Sequence, residues 1–242
     1  MIISDRHRYV FVELPLTAST AIASELKAHY AGEEVLFKHA TYRDFLKVAT
    51  PEQRGYFVFS GIRNPLDQTV SHYYKYKNNQ GNRFGALPKK KAGRLRRPLH
   101  RLLHRKRMRF IRQNEAGFGA FFQQFYRWPY SNWSVLAHRK FNFLIRFESL
   151  QDDFREALQR MDIAPVRELP QQNRTVEKSD GFEGHYDTER LQQRAMRIFG
   201  PFMRYWDYAW PEGWPESREP WYNNGLYRVL NLFRKFYWKY LR

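Results

Sequence analysis

YVFVELPLTAST, residues 9–20, is the stretch that decides the fold of this chain. Its first four residues are β-branched or aromatic, which is typical of a short buried strand. Pro15 and the small residues that follow it end this strand. Apolar residues then recur at helical spacing over residues 20–30, which predicts a helix. The stretch therefore encodes a strand, a tight loop and a helix.

The same alternation of strands and helices continues along the chain. Further strands are expected over residues 35–37, 56–62 and 141–147, and further helices after Thr41, from Pro65, and over residues 118–126, 150–161 and 188–199. Asp44 lies three residues after Thr41, in the position that completes a capping box. Alternating elements predict an α/β fold with a central, mostly parallel sheet flanked by helices. In such folds, ligands bind at the carboxyl ends of the strands.

The composition limits the kinds of chemistry that are open to the chain. Its 242 residues contain no cysteine, which excludes a disulfide framework, a thiolate metal site and a cysteine nucleophile. We expect no metal cofactor. The sequence has neither a signal-peptide pattern nor an apolar segment of about 20 residues. We therefore expect a cytoplasmic protein, with one domain over residues 1–210 and a Pro/Trp-rich linker and helical tail over residues 211–242.

The net charge of +18 is concentrated in two segments. Twelve Lys/Arg and no Asp/Glu lie in residues 89–112, within a basic insert at residues 85–115. Five more Lys/Arg and no Asp/Glu lie in residues 221–242. The remainder carries 25 Lys/Arg against 24 Asp/Glu and is nearly neutral. Basic segments of this kind bind polyanions such as nucleic acid, anionic lipid or acidic polysaccharide.

Both basic segments have more than one interpretation. The insert could guide an acidic glycan, rest on an anionic membrane, or be a solvated surface loop. The tail has an apolar, aromatic face with basic residues beside it, which suits a helix at the inner face of a membrane or a helix packed on the domain. Nucleic acid is the least favoured partner, because the charge is confined to these segments and no recognition motif is present.

Two segments after predicted strands are suited to binding phosphate or sulfate. Residues 17–20 are small and hydroxylic, and they precede a helix whose N-terminal N–H groups attract anions. The simpler interpretation is an ordinary helix cap. Arg63 ends a strand, and Ser71 lies two turns into the next helix. A guanidinium there can bind a phosphate through two hydrogen bonds, whereas a surface arginine would pair with Asp67.

Taken together, these segments resemble the sulfotransferases that use 3′-phosphoadenosine-5′-phosphosulfate (PAPS). Residues 15–20, PLTAST, resemble the family's 5′-phosphosulfate loop, and residues 62–67, IRNPLD, with SHYY at residues 71–74, resemble its 3′-phosphate segment. Residues 146–150, 169–170 and 173–174 resemble later landmarks. The similarity covers residues 7–208 without the insert. It implies a P-loop-type three-layer fold, PAPS as co-substrate, and a nucleotide site formed by Leu16, Thr17, Ala18, Ser19, Thr20, Ala21, Arg63 and Ser71.

Residues 39–45, HATYRDF, resemble a segment of the glycosaminoglycan uronyl 2-O-sulfotransferases, in which the histidine is the proposed base. This resemblance implies that His39 is the catalytic base. It also implies that the acceptor is a carbohydrate hydroxyl. The two basic segments favour contact with a membrane surface, for which a cell-surface or lipid-linked glycan is a suitable acceptor. A histidine suits this task because its pKa lies near neutrality.

The loop departs from the family at Leu16, where the family has a lysine that contacts the leaving group. Another cation could take its place, and the candidates are Lys38, Arg6, Arg8, Lys75 and Lys77. We take Lys38 as the candidate catalytic cation because it precedes His39. The alternative is a weak or inactive relative that binds a nucleotide, a polyanion or a membrane.

Overall fold

A computed structural model describes residues 1–80, 97–170, 175 and 181–241 of the chain. The chain divides into two compact units. The sheet unit comprises Met1–Asn64, Ser131–Arg174 and Val229–Arg242, and the helical unit comprises Pro65–Tyr130 and Thr175–Arg228. The domain boundary after residue 210 stays a prediction. Residues 81–96 of the basic insert and its flank, and the expected landmark at residues 173–174, lie outside the described residues.

The sheet unit is built on a five-stranded sheet with the order β3-β1-β2-β4-β5. The strands are β1 (Ile2–Ser4), β2 (Tyr9–Val12), β3 (Glu33–Glu34), β4 (Phe57–Ile62) and β5 (Phe143–Arg146). The β1 strand is antiparallel to both of its neighbours, whereas β2, β4 and β5 pair in parallel. Four of the five strands therefore run in one direction, and the predicted mostly parallel sheet is confirmed.

The described residues also form eight α-helices. These are α1 (Ser19–His29), α2 (Tyr42–Leu46), α3 (Pro65–Lys77), α4 (Arg97–Gln113), α5 (Phe118–Phe125), α6 (Leu150–Gln159), α7 (Glu189–Tyr205) and α8 (Asn223–Phe236), the last followed by a π-helical turn at Tyr237–Leu241. The predicted capping box of α2 is present, with Thr41 and Asp44 bonded to each other's backbone N–H groups. No described helix has the length and apolar character needed to cross a bilayer.

Both faces of the sheet are covered by apolar side chains. Tyr9, Phe11 and Phe59 point to one face, where they pack against α1 and α6. Val10 and Val58 point to the other face, where they pack against α2 and its flanking residues. This alternation follows from the two-residue period of a strand. The continuously apolar pattern of residues 9–12 thus reflects a strand that is buried on both sides.

The helical unit has its own aromatic core, to which α3, α4, α5 and α7 contribute. The rings of Phe118 and Phe122 stack one turn apart on α5, and Phe122 also stacks on Phe199 of α7. Within the basic insert, α4 packs through Ile111 and leaves Leu102 and Leu103 exposed. Residues Arg97–Gln113 of the insert therefore form a basic helix.

The structure differs from the sequence prediction at two strands near one edge of the sheet. The strand expected over residues 35–37 is absent, because Leu36 has a left-handed backbone with φ 61°. Only the preceding pair, Glu33–Glu34, joins the sheet. The first strand, β1, was not predicted from the sequence. Its three residues become a strand because they pair with both β2 and β3, which the local pattern does not reveal.

A buried histidine, His138, contacts strand β4. Ser60 on β4 donates from its hydroxyl to the carbonyl of Val12 at 2.5 Å, and Nε2 of His138 lies 2.9 Å from the same hydroxyl oxygen. Nε2 therefore carries the hydrogen and donates it to Ser60. Nδ1 is buried without a hydrogen-bond partner among the described residues. Burial lowers the pKa of His138 to about 3, so the ring is neutral at physiological pH.

His138 makes stability depend on pH in a defined direction. Below the ordinary imidazole pKa of 6.5 the unfolded chain binds a proton that the folded chain refuses. We expect the free energy of unfolding to fall between pH 6.5 and about pH 5, with a contribution from His138 that approaches about 1.4 kcal/mol per pH unit. The free energy of unfolding, measured with urea at each pH, should depend less steeply on pH in His138→Gln, by the equivalent of about one bound proton. His7 lies in the turn between β1 and β2. An equal loss of pH dependence in His7→Gln would contradict this account.

Candidate functional site

The loop between β2 and α1 is a strained backbone turn at the carboxyl end of a central strand. Leu16 and Ala18 both have left-handed backbones, with φ of 69° and 56°. Such conformations are uncommon for residues other than glycine and persist only where the surroundings enforce them. The Thr17 hydroxyl donates to the carbonyl of Leu14 at 2.9 Å, which closes the turn. The hydroxyl expected to face an anion is therefore used to hold the loop.

The first turn of α1 keeps the features of an anion-binding helix start. Ala18 is the N-cap residue and provides no side-chain cap, and no acidic residue lies in the first turn. The first N–H groups of a helix have no partner within the helix, and the positive end of its dipole lies there. Ser19 is buried, and Thr20 is partly exposed. The turn is therefore electrostatically suited to a phosphate or sulfate group.

Gly61 on β4 lets this loop lie directly on the sheet. A Cβ atom at position 61 would be 2.6 Å from Oγ1 of Thr17 and 2.8 Å from its carbonyl oxygen. Contacts this short require the backbone of the loop to move. The role of Gly61 was not predicted from the sequence. The only available signal was its position immediately before Ile62, which begins the segment that resembles the 3′-phosphate segment.

Arg63 follows β4 and contacts the same loop. Its Nη1 donates to the carbonyl of Leu16 at 3.2 Å, and its guanidinium carbon lies 3.8 Å from the centre of the Phe147 ring. The next residue, Asn64, donates its N–H to the Glu148 carboxylate at 2.7 Å. The landmark residues after β5 thus lie beside Arg63. The sequence predicts this landmark but no role for Phe147.

The two catalytic candidates contact residues at the two ends of the loop. Nζ of Lys38 donates to the Thr20 hydroxyl at 3.0 Å. Nδ1 of His39 lies 3.1 Å from the carbonyl oxygen of Glu13 and donates to it. The Nε2 atom of neutral His39 is consequently the unprotonated one. Burial lowers the pKa of His39, against the weaker opposing effect of the Glu13 carbonyl.

Local backbone geometry brings Lys38 and His39 to this position. His39 has a left-handed backbone with φ 63°, a conformation in which histidine is enriched among residues other than glycine. The chain then turns into the capping box at Thr41, which begins α2. The turn at residues 36–39 therefore replaces the expected strand and directs both side chains towards the loop.

An aromatic residue that the sequence analysis missed lies next to the candidate base. The ring centre of Trp133 is 6.4 Å from that of His39, in an edge-to-face arrangement, and 4.7 Å from that of Trp238. Trp133 also lines a small pocket of the sheet unit, together with Glu13, Tyr42 and His138. The lining of this pocket is mainly apolar.

The remaining candidate residues are distributed as follows. Ala21 is buried in the first helical turn of α1. Ser71 is fully buried in α3 and belongs to the helical unit, as do Lys75 and Lys77. Arg8 pairs with Glu52 at 3.0 Å, and its guanidinium lies over the Tyr56 ring. Of these alternatives to Lys38, Arg8 is thus engaged elsewhere in the sheet unit.

Comparison of the chain with protein families, curated proteins and solved structures finds no match. Among the described residues, no cluster of three or more His, Asp or Glu side chains is arranged to hold a metal ion.

The close approach at Gly61 gives a direct test of how the loop is held. We expect Gly61→Ala to lower the free energy of unfolding by about 1–3 kcal/mol, because the added methyl group displaces the backbone of Thr17. Gly55→Ala is the matched control, since a Cβ there meets nothing within 4 Å. Urea unfolding measures both variants. Equal stability of Gly61→Ala and Gly55→Ala would show that the loop does not depend on this contact.

Proposed function

We propose that the protein transfers the sulfuryl group of PAPS to a carbohydrate hydroxyl. The observation that carries the proposal is that a cation and a neutral imidazole contact the two flanks of the loop between β2 and α1. The Lys38 ammonium lies 3.0 Å from the Thr20 hydroxyl, and the next residue, His39, is fixed by the Glu13 carbonyl. The proposal includes the P-loop-type three-layer fold. It also includes 3′-phosphoadenosine-5′-phosphate (PAP) as the released product.

The chemistry assigns each group a separate task. The N–H groups at the start of α1 hold the phosphosulfate, and Arg63 supplies positive charge beside the same loop. Lys38 stabilises the charge that develops on the leaving oxygen, the task that the family gives to a lysine at the position of Leu16. Fixed donors aimed at developing charge are commonly the largest contribution to catalysis.

The sulfuryl group passes to the acceptor, and the acceptor proton passes to the base. The acceptor hydroxyl oxygen forms a bond to sulfur while the bond between sulfur and the bridging phosphate oxygen breaks. PAP leaves with that electron pair, and the hydroxyl proton passes to Nε2 of His39. The lowered pKa of His39 keeps the imidazole neutral at pH 7, as a base requires. Trp133 beside His39 provides an aromatic wall for the sugar ring of the acceptor.

A second candidate function is nucleotide binding without transfer. The observation that favours it is the apolar side chain of Leu16, which contributes no donor to the leaving group. The two functions differ in whether Lys38 completes the catalytic machinery.

Moving the lysine from position 38 to position 16 separates these functions. We expect wild-type protein to bind PAP in calorimetry and to transfer labelled sulfate from PAPS to members of a glycan panel. Lys38→Met should reduce transfer by roughly 100- to 1000-fold, the typical effect of losing one such donor. The control is Lys47→Met, an exposed lysine of the same segment. Leu16→Lys in the Lys38→Met background should restore transfer, because it returns the cation to the loop.

Each other outcome of this experiment has a definite meaning. No binding of PAP by the wild-type chain would overturn the proposed function. Binding of PAP without transfer to any glycan would replace it by the second candidate. Full activity of Lys38→Met would remove Lys38 from the catalytic machinery.

The role of His39 as the base predicts a particular pH profile. The transfer rate should rise with pH through the pKa of His39, which burial places below the ordinary 6.5, and should be level above it. His39→Gln should lose this rise and lower the rate by roughly 100- to 10,000-fold. His29→Gln, on α1, should retain the wild-type profile. An unchanged pH profile in His39→Gln would assign the base to another residue.

A further inference from the structure

The C-terminal helix turns an apolar face outward. Along α8 and the turn after it, the exposed large side chains include Val229, Leu232, Phe233, Phe236 and Tyr240, and Tyr237 is also exposed, at 41%. The spacing of the first five, by three, one, three and four residues, places them on one side of the helix. Leu232 and Phe233 are the most exposed of the set, at 65% and 67%. A helix of a soluble domain normally turns such a face towards the core.

The opposite side of the same segment is attached to the sheet unit. The hydroxyl of Ser131 donates to Oδ1 of Asn231 at 2.5 Å, and Asn231 is 8% exposed. Nη1 of Arg43 donates to the carbonyl of Lys239. The Trp238 ring packs edge-to-face on Trp133. These contacts fix the orientation of the helix, so the apolar row is held away from the unit to which it is attached.

The charge beside the apolar row identifies the partner that fits it. Residues 221–242 contain five Lys/Arg and no Asp/Glu. Arg228 and Lys235 are exposed on α8, and Lys239 lies beside Tyr240 with its ammonium 4.8 Å from the ring centre. An apolar row bordered by cations matches an anionic lipid surface, where acyl chains take the apolar groups and headgroups take the charges.

A second copy of the chain fits this surface less well. A symmetric contact would bring the same surface patch together from both copies. It would therefore place the cations of one tail beside those of the other, with no acidic side chain from residues 221–242 to offset them. Like charges brought together in an interface are unfavourable. Anionic lipid removes this repulsion and covers the same apolar row.

We propose that the outward face of α8, formed by Val229, Leu232, Phe233, Phe236 and Tyr240, docks the protein on an anionic membrane surface. At the ordinary helical rise, this face extends roughly 16 Å. The helix lies flat, with its apolar side chains among the upper acyl chains and its lysines and arginines at the headgroups. Docking of this kind is independent of sulfuryl transfer and of PAP binding.

Flotation with vesicles tests the docking directly. We expect wild-type protein to float with vesicles of equal parts phosphatidylcholine and phosphatidylserine, and to do so less at high salt. The double variant Phe233→Ser/Phe236→Ser should bind about tenfold or more weakly, because it removes two apolar groups from the lipid contact. The matched control is Trp128→Ser, which removes an aromatic side chain that is 68% exposed in the helical unit. Circular dichroism verifies that each variant is folded.

The charge contribution has its own pair of variants. Lys235→Glu on α8 should weaken binding to the anionic vesicles, whereas Lys140→Glu before β5 should leave it unchanged. Equal flotation of the wild type and the double phenylalanine variant would overturn the proposal, as would no flotation of the wild type. A dimer in solution that is abolished by the phenylalanine changes, with no binding to vesicles, would assign the face to a second copy instead.

Discussion

The candidate site depends on the absence of a side chain at Gly61. A Cβ atom there would lie 2.6 Å from Oγ1 of Thr17, so the loop after β2 can rest on β4 only because position 61 is a glycine. The parallel pairing of β2 with β4 brings the ends of the two strands to one edge of the sheet. The loop after β2 and Arg63 after β4 therefore meet there. Once the loop is held, the carbonyl of Leu16 accepts from Arg63, and the carbonyl of the adjacent Glu13 accepts from His39.

The parts of the site that follow from local pattern could be predicted from the sequence. The strand at residues 9–12, the helix after Ala18 and the capping box at Thr41 each have a signal within a few residues. The left-handed backbone of His39 has no such signal, because histidine adopts this conformation only when its surroundings enforce it. The approach of Trp133 to His39 also depends on tertiary packing between distant segments. The sequence therefore revealed the candidate groups, whereas their arrangement required the structure.

The tail illustrates a different limit of sequence analysis. Its apolar periodicity predicts a helix with one apolar side, and α8 confirms that helix. The same periodicity is compatible with an apolar side that faces the protein or one that faces outward. The choice is made by single polar contacts such as that of Asn231 with Ser131, which fix the opposite side of the helix to the sheet unit. Neither residue has a pattern that announces the pairing, because they are far apart in the chain.

The three separate segments of the sheet unit have a consequence for biosynthesis. Met1–Asn64 leaves the ribosome first, but Ser131–Arg174 supplies β5, and Val229–Arg242 supplies Trp238. Domains fold as units during synthesis, and contacts between distant segments form slowly because long stretches of chain must be ordered first. The contact of Trp133 with Trp238 beside His39 therefore forms only after residues 229–242 have been synthesised. Until then, Trp133 lacks its partner Trp238, whereas all residues of the helical unit are already present.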